Sequence, residues 1–421
     1  MAKVKLPRWI QEAGTLLTGT AGAQLITVAA YFLLTRIYSP DDFGLFSIFC
    51  SYLEVLVIAS TCKYELSIVA AADEREASAV SSFALKMNTA VSILLLVVAA
   101  ILCATRSLPG KMSELGYIAM LIPPLVYFSG TSRVYENLFN RQRQYGKIAL
   151  SEAVNAAATV AAKTCLGLAG LFSAGMPVGT VLGRMAGNIN YRVALRRLQL
   201  PHTTFAEQRQ AASRHRNFPL FVAPKDFANS LSFNLPAIWL ANYFDLAEVG
   251  LFSLAVTFVF RPVNILNVTV EKVLYSRAVE HRLKGERMWP EVRQFLLPAV
   301  AIGLPVAVVL FFLADPLFGF LFGSQWAACG YYVRCLLPWI LTMLLTNSLM
   351  YVSNVFSTQR AEFIFCLVLL ALRAGAVMAG IVVGSFRTGI LLFCVASTVV
   401  SAALLWWYLY QILRHDKNLK S

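Results

Sequence analysis

Two segments of the sequence, about half a chain apart, carry nearly the same pattern. Residues 38–47 read YSPDDFGLFS and residues 244–253 read FDLAEVGLFS. In each copy an aromatic residue ends one apolar stretch, an acidic turn follows, and Gly-Leu-Phe-Ser begins the next stretch. An internal repeat in an apolar chain is typical of transporters formed by two related halves around a central site. We therefore predict that something passes between two such halves.

The composition indicates a membrane protein. Of the 421 residues, 58% are hydrophobic and 14% are charged, and the mean hydropathy is +0.64, which is too apolar for a soluble domain of this length. Apolar stretches of about 20 residues, enough for a helix to cross a bilayer, recur along the chain. We predict an all-α, polytopic membrane protein of about twelve transmembrane helices, near residues 12–35, 43–62, 79–103, 115–138, 148–171, 176–195, 218–241, 246–270, 294–314, 331–352, 362–383 and 389–412.

The Lys and Arg residues predict the orientation of these helices. They concentrate at the two termini and in or beside every second loop, a set in which we include Arg133 near the end of the fourth helix and Arg141 after it. Cytoplasmic loops are enriched in Lys and Arg, so both termini are predicted to be cytoplasmic. Topology then explains most of the net charge of +14, and no nucleic-acid partner is needed.

The longest polar connector predicts the domain organisation. We expect an N-terminal six-helix lobe at residues 1–195, a cytoplasmic connector at 196–217 and a C-terminal six-helix lobe at 218–421. An even number of crossings per lobe gives both copies of the repeat the same orientation, so the lobes are predicted to be parallel repeats around a central cavity.

Polar side chains inside the predicted helices are candidates for a substrate site, because charges at bilayer depth are costly unless they face a cavity or a partner. The eighth helix places Arg261 and Asn264 along one stripe, next to the helix-breaking Pro262. For single polar residues, hydrogen bonding between helices is the alternative, whereas Arg261 has no acidic residue one turn away. The predicted substrate-binding residues are Arg36, Lys63, Lys163, Arg184, Lys225, Asn229, Arg261, Asn264 and Arg373.

The charge of these residues favours an anionic passenger. Arg presents a fork that matches phosphate oxygens and Lys presents a point charge, whereas an exporter of organic cations would need carboxylates and aromatic cages. Glu65 and Asp226 are the candidates for ion coupling as proton-binding acids. Ion pairing with a nearby lysine, Lys63 or Lys225, is the alternative for both.

No pattern in the sequence predicts catalysis. There is no Gly-rich phosphate loop, no plausible nucleophile constellation and no metal-like cysteine spacing. A membrane-embedded polysaccharide polymerase or ligase, the alternative from another class, typically needs a long outer loop bearing catalytic Arg or His residues, and the predicted outer loops are short. We therefore expect a protein that is not an enzyme and that uses no cofactor or metal.

Several stretches resemble the Wzx-type flippases of bacterial polysaccharide repeat units (O-antigen or exopolysaccharide), in the multidrug/oligosaccharidyl-lipid/polysaccharide exporter superfamily. The resemblance covers the whole chain. Lys63 stands where the family commonly has Arg, which keeps the charge but loses the bidentate fork, and Glu152 lies where a basic residue is frequent. The matching stretches are residues 34–46 (LTRIYSPDDFGLF), 63–69 (KYELSIV), 217–221 (NFPLF) with Pro224, 249–255 (VGLFSLA) and Arg261-Pro262.

The resemblance implies transfer of an undecaprenyl-pyrophosphate-linked oligosaccharide from the cytoplasmic to the periplasmic leaflet of the bacterial inner membrane. It implies alternating access of the two lobes around a cationic cavity. The expected partners are this lipid-linked oligosaccharide, the lipid bilayer, and a polysaccharide polymerase with its chain-length machinery. A multidrug exporter, or an exporter of another lipid-linked precursor, is the alternative on the same fold.

Overall fold

The computed structural model describes residue 22 and residues 26–196, 198, 200–284, 286–356 and 358–419. Within these ranges the regular structure is helical and no strand is present, which confirms the predicted all-α fold. Eight helices in this part of the chain are long and apolar enough to cross a membrane. The total of twelve transmembrane helices stays a prediction, and the predicted first helix at 12–35 lies largely outside the described residues.

By the packing of its helices the chain divides into two units, Met1–Ser230 (unit 1) and Leu231–Ser421 (unit 2), with the boundary inside helix α9. The predicted lobes and the connector at 196–217 stay predictions. The described helices up to α9 are α1 (Ile26–Ile37), α2 (Pro40–Thr61), α3 (Tyr64–Ala70), α4 (Glu74–Ala104), a 3-10 segment (Gly110–Leu121), α5 (Ile122–Arg141), α6 (Tyr145–Leu168), α7 (Phe172–Leu195), α8 (Phe205–Arg214), a π-helical turn (Phe218–Val222) and α9 (Ala223–Ile238).

The helices after α9 belong to unit 2. Their buried side chains form a separate core in which Tyr408 and Ile412 of the last helix pack against Leu349 and Val352. The elements are a 3-10 turn (Leu240–Asn242), α10 (Leu246–Lys284), α11 (Trp289–Phe322), a second 3-10 turn (Ser324–Trp326), α12 (Cys329–Ser348), α13 (Tyr351–Val355), α14 (Gln359–Val383) and α15 (Phe386–Asn418).

Both copies of the repeated motif begin long helices in the same register. Gly44 and Gly250 are each the fifth residue of their helix, because α2 starts at Pro40 and α10 at Leu246. At the start of α2 the Ser39 hydroxyl accepts a hydrogen bond from the backbone N–H of Asp42, whose carboxylate accepts one from the N–H of Ser39. This capping box satisfies two backbone donors that the first helical turn leaves unpaired. The acidic turn of the motif is therefore a helix start.

Helices α6 and α7 pack through a stripe of glycines that recurs every fourth residue from Gly175 to Gly187. Small residues at this spacing let two helix backbones approach closely. A Cβ on Gly179 would lie 2.8 Å from the backbone nitrogen of Lys163, and a Cβ on Gly183 would lie 2.8 Å from the carbonyl oxygen of Asn155. The stripe thus fixes the backbone beside Lys163 on one helix and beside Arg184 on the other.

Gly183→Ala is expected to lower the melting temperature, because overpacking a close helix contact costs about 1–3 kcal/mol. Gly375→Ala in α14 is the matched control, since a Cβ there meets nothing within 4 Å. The control should melt at or slightly above the wild-type temperature, because glycine inside a helix costs about 0.5–1 kcal/mol relative to alanine. Thermal unfolding in detergent, followed by tryptophan fluorescence, makes the comparison. Identical melting of the two variants would contradict a tight α6–α7 contact.

Candidate functional site

Lys63 lies at a break between two helices and is ion-paired. After α2 ends at Thr61, Cys62 and Lys63 have φ values of 44° and 62°, in the left-handed region that non-glycine residues rarely adopt. The Lys63 Nζ is 2.8 Å from Oδ2 of Asp226 in α9. The sequence analysis predicted Lys63 as a substrate-binding residue and Asp226 as an ion-coupling residue. In this structure the two side chains form an ion pair with each other.

Glu65, in the first turn of α3, is buried without a full set of partners. Its side chain is 2% exposed, and its Oε2 atom is buried with no hydrogen-bond partner. Arg133 of α5 is buried, and among the charged groups that act on its guanidinium Glu65 has the largest effect, followed by Arg184, Glu136 and Glu54. Glu65 and Asp226 are thus in different situations, because only Asp226 has an ion-pair partner.

Arg133 is a candidate that the sequence analysis missed. The sequence analysis grouped it with the cytoplasmic basic residues, although it lies inside the predicted helix at 115–138. In the structure Arg133 lies inside α5 and its Nη1 atom is buried with no hydrogen-bond partner. The signal in the sequence was the pair Arg133 and Glu136, three residues apart inside a long helix.

Arg184 of α7 pairs with Glu152 of α6. Its Nη1 is 3.5 Å from the carboxylate Oε1, and both side chains are partly exposed. Next to this pair the Tyr191 side chain is fully buried, with a hydroxyl that has no hydrogen-bond partner and that is influenced by the charges of Glu152, Glu136 and Arg184. The acidic residue at 152, noted above as a departure from the family, therefore binds one of the predicted basic residues.

These groups form one charge cluster inside unit 1. The cluster contains four carboxylates and two guanidinium groups, a formal surplus of two negative charges among its described members. The sequence analysis expected a positive interior, and this stays a prediction for the interior as a whole. Glu136, which the sequence analysis did not consider, adds to the acidic members of this cluster. The members of the unit 1 charge cluster are Glu54, Glu65, Arg133, Glu136, Glu152 and Arg184.

Lys163 is buried at 8% exposure and contacts the repeated motif. Its Nζ lies 4.0 Å from the centre of the Phe46 ring, a cation–π contact. Its backbone oxygen accepts a 2.7 Å hydrogen bond from the hydroxyl of Tyr38. Phe46 and Tyr38, two aromatic residues of the repeated motif, thus hold Lys163 in place. Their packing against Lys163 explains why the motif has aromatic residues at these two positions.

Arg373 of α14 lies in the core of unit 2 and is 2% exposed. Its Nε donates to the Ser397 hydroxyl at 2.9 Å and its Nη1 donates to the Ser232 hydroxyl at 3.1 Å. The guanidinium carbon lies 4.6 Å from the Trp339 ring centre and 4.7 Å from that of Phe393. Every one of these contacts is structural, and a direct role of Arg373 in binding substrate stays a prediction.

The remaining predicted residues keep partial or full exposure. Arg36 is exposed at the end of α1, Asn229 is exposed in α9 and Lys225 is partly buried one turn earlier. In α10 Arg261 is partly buried and Asn264 is exposed, on either side of the exposed Pro262 position. Arg36, Lys225 and Asn229 belong to unit 1 but are not members of its charge cluster, and Arg261 and Asn264 belong to unit 2.

Comparisons with known proteins support the fold and identify a family. A family model described as polysaccharide biosynthesis protein matches residues 33–330. The succinoglycan biosynthesis transport protein ExoT of Rhizobium meliloti (strain 1021) is 22% identical over 395 residues, which cover 92% of this chain and 77% of that protein. The lipid II flippase MurJ in an inward closed conformation aligns with a TM-score of 0.75 at 11% identity. The alignment covers 96% of this chain and 90% of the MurJ chain. An inward-facing multidrug resistance MATE family transporter of the MOP superfamily aligns with a TM-score of 0.73 at 12% identity. The alignment covers 94% of this chain and 96% of the transporter.

The helical architecture, the eight apolar helices and these neighbours define a multi-pass membrane protein with the fold of the MOP transporters. Because the matched region spans more than half of the sequence, the chain belongs to the polysaccharide biosynthesis protein family. The resemblance found in the sequence is confirmed at this level. All six members of the unit 1 charge cluster lie within the matched residues 33–330.

Proposed function

We propose that this protein is a flippase that moves a lipid-linked oligosaccharide intermediate of polysaccharide biosynthesis across a membrane. The observation that carries the proposal is the unit 1 charge cluster, to which five helices contribute within the family's matched region. Charged groups at bilayer depth are retained where a polar substrate or an ion must pass. A lipid-linked sugar is such a substrate, because its polar head needs a path shielded from the hydrocarbon.

The arginines of the two units favour a substrate whose head group carries phosphate. Arg133 and Arg184 in unit 1, and Arg261 in unit 2, each present a planar fork that binds two phosphate oxygens at once. We propose an undecaprenyl-pyrophosphate-linked repeat unit, carried from the cytoplasmic to the periplasmic leaflet of the bacterial inner membrane by alternating access. Both termini are then cytoplasmic, and a polysaccharide polymerase with its chain-length machinery receives the product.

An ion gradient is the proposed energy source, and the different contacts of the two acids favour one of them for coupling. Asp226 is occupied by Lys63 at 2.8 Å, so it serves best as a structural counter-charge. Glu65 is buried and one of its oxygens lacks a partner, so a proton can bind there without breaking an ion pair. We therefore assign coupling to Glu65.

An exporter of organic cations is the second candidate, because one observation favours it. The carboxylates of the unit 1 charge cluster outnumber its guanidinium groups by two, and carboxylates are what a cationic passenger requires. The polysaccharide family match favours the first candidate, whereas the MATE likeness concerns the fold alone.

Reconstituted vesicles distinguish the two candidates. Purified protein is placed in liposomes with a fluorescent undecaprenyl-pyrophosphate-linked oligosaccharide, and a membrane-impermeant quencher reports the fraction in the outer leaflet. We expect the protein to increase flipping of this lipid under an imposed pH gradient and to leave the distribution of ethidium unchanged. Gradient-driven ethidium transport without lipid flipping would replace the first candidate by the second.

A further inference from the structure

A cavity of about 240 Å³ lies between α5 and α7, outside the unit 1 charge cluster. Beside it the buried Asn188 of α7 ties the two helices together. Its Nδ2 donates hydrogen bonds to the backbone oxygen of Phe128 and to the hydroxyl of Ser132, each at 2.9 Å. The residues that line this α5–α7 groove are Tyr127, Phe128, Met185, Asn188, Ile189 and Arg192.

The α7 side of the groove changes from apolar to cationic along one stripe. Met185 and Ile189 are exposed apolar residues, and Arg192 and Arg196 are exposed arginines. Spacings of four, three and four residues place these side chains on one face of a helix, and Arg196, just after the last residue of α7, keeps helical backbone angles. In the predicted topology this end of α7 is cytoplasmic. The stripe therefore runs from the apolar interior of the membrane toward its phosphate-bearing surface.

The two arginines of the stripe have no acidic partner in the described part of the chain. The Nη2 of Arg192 donates a 3.1 Å hydrogen bond to the hydroxyl of Tyr127, and the guanidinium also interacts with the hydroxyl of Tyr135. Both of these partners are neutral. A guanidinium has five N–H donors, so donors remain for an anion.

The groove and the unit 1 charge cluster lie on different sides of α5. Tyr127 lines the groove, and Glu136 of the cluster lies about two and a half turns further along the same helix. Side chains with this spacing point to opposite sides of a helix. A substrate whose head group occupies the cluster therefore does not reach the groove, which favours a lipid of the surrounding bilayer as the occupant.

We propose that the α5–α7 groove binds one anionic glycerophospholipid of the cytoplasmic leaflet. An acyl chain of this lipid packs against Phe128, Met185 and Ile189, and its phosphate accepts hydrogen bonds from Arg192 and Arg196. Basic pockets between transmembrane helices on the cytoplasmic side bind phosphate head groups in this way. The inference goes beyond the proposed function and does not rest on it.

The test measures binding of phosphatidylglycerol to the full chain in detergent by native mass spectrometry. The wild type should bind one phosphatidylglycerol more tightly than phosphatidylcholine with the same acyl chains, because the choline group offsets the phosphate charge. Arg192→Gln/Arg196→Gln is expected to raise the Kd for phosphatidylglycerol at least about tenfold, since one basic residue near an anionic head group contributes about a factor of five. Equal binding of the two lipids by the wild type would overturn the proposal.

Arg414→Gln/Lys417→Gln, near the end of α15, is the matched control. It removes the same charge from two exposed residues of unit 2 and should bind phosphatidylglycerol as tightly as the wild type. Equal weakening by the two double variants would mean that Arg192 and Arg196 act only through the net charge of the protein. That result would also overturn the proposal.

Ile189→Trp tests the apolar wall of the groove. Ile189 is 54% exposed, so the substitution is compatible with the fold, and the indole fills the groove while both arginines remain. We expect the Kd for phosphatidylglycerol to rise about threefold or more, because the acyl chain loses its close contacts. An unchanged Kd would show that no chain enters the groove, and the proposal would fail.

Two competitors separate the phospholipid from other sources of phosphate. Glycerol 3-phosphate carries the head group without chains, and farnesyl pyrophosphate carries a prenyl chain with a pyrophosphate. We expect neither to displace phosphatidylglycerol from the wild type at equimolar concentration. Displacement by glycerol 3-phosphate would make the groove a free-phosphate site, and displacement by farnesyl pyrophosphate would assign it to a prenyl-linked lipid. Either result would reject the phospholipid and leave the proposed flippase to its own test in vesicles.

Discussion

Arg261→Ala is expected to abolish surface polysaccharide while the protein stays in the membrane at its normal level. Arg261 is partly exposed in α10, and no ion pair joins it to any residue in the described ranges. Substitutions at such positions usually change stability by less than about 0.5 kcal/mol. Loss of a bidentate contact to a phosphate, in contrast, removes an interaction that a neutral side chain cannot replace.

The side chain's charge and its shape can be tested separately. Arg261→Lys should retain part of the activity, because the charge survives and the fork does not. Arg387→Ala is the control, since Arg387 is an exposed arginine whose ion pair with Glu248 is long, at 3.8 Å, and exposed pairs contribute little. Polysaccharide is quantified on cells that lack the native gene and express each variant, with membrane levels measured by immunoblot. Wild-type polysaccharide from Arg261→Ala would remove this residue from the transport path.

Local signals in the sequence were sufficient for much of the fold. The two copies of Gly-Leu-Phe-Ser predicted equivalent helix starts, and the structure places Gly44 and Gly250 in the same register. The predicted seventh helix at 218–241 contains prolines at 219, 224 and 236, and the structure has a π-helical turn at Phe218–Val222 before α9. These features depend on neighbouring residues and on hydropathy, which a single sequence displays directly.

The candidate site depended on contacts that a single sequence does not display. Lys63 was matched in the sequence with nearby Glu65, whereas its partner is Asp226, more than 160 positions away. Arg133 was grouped with the cytoplasmic basic residues because such residues cluster near helix ends, and nothing local in the sequence distinguishes an exposed arginine from one that a helix bundle buries. The glycine stripe of α7 was visible in the sequence but became informative only once its partner helix was known.

Arg373→Ala is expected to have the opposite signature to Arg261→Ala, namely loss of folded protein rather than loss of transport alone. The substitution would leave the hydroxyls of Ser232 and Ser397 without this partner and would open a cavity between the rings of Trp339 and Phe393. The cavity and the loss of these hydrogen bonds are together expected to cost about 2–5 kcal/mol. Arg373→Lys should recover only part of the stability, because one ammonium group cannot reach both serines with the geometry of a fork.

Thermal unfolding and membrane level decide between a structural and a binding role for Arg373. A melting temperature lowered by several degrees, together with reduced membrane level, is expected for Arg373→Ala but not for Arg261→Ala. If Arg373→Ala instead melted like the wild type and lost lipid flipping in vesicles, its contacts with Ser232 and Ser397 would have to open during the transport cycle. Arg373 would then be a substrate-binding residue that this conformation keeps enclosed.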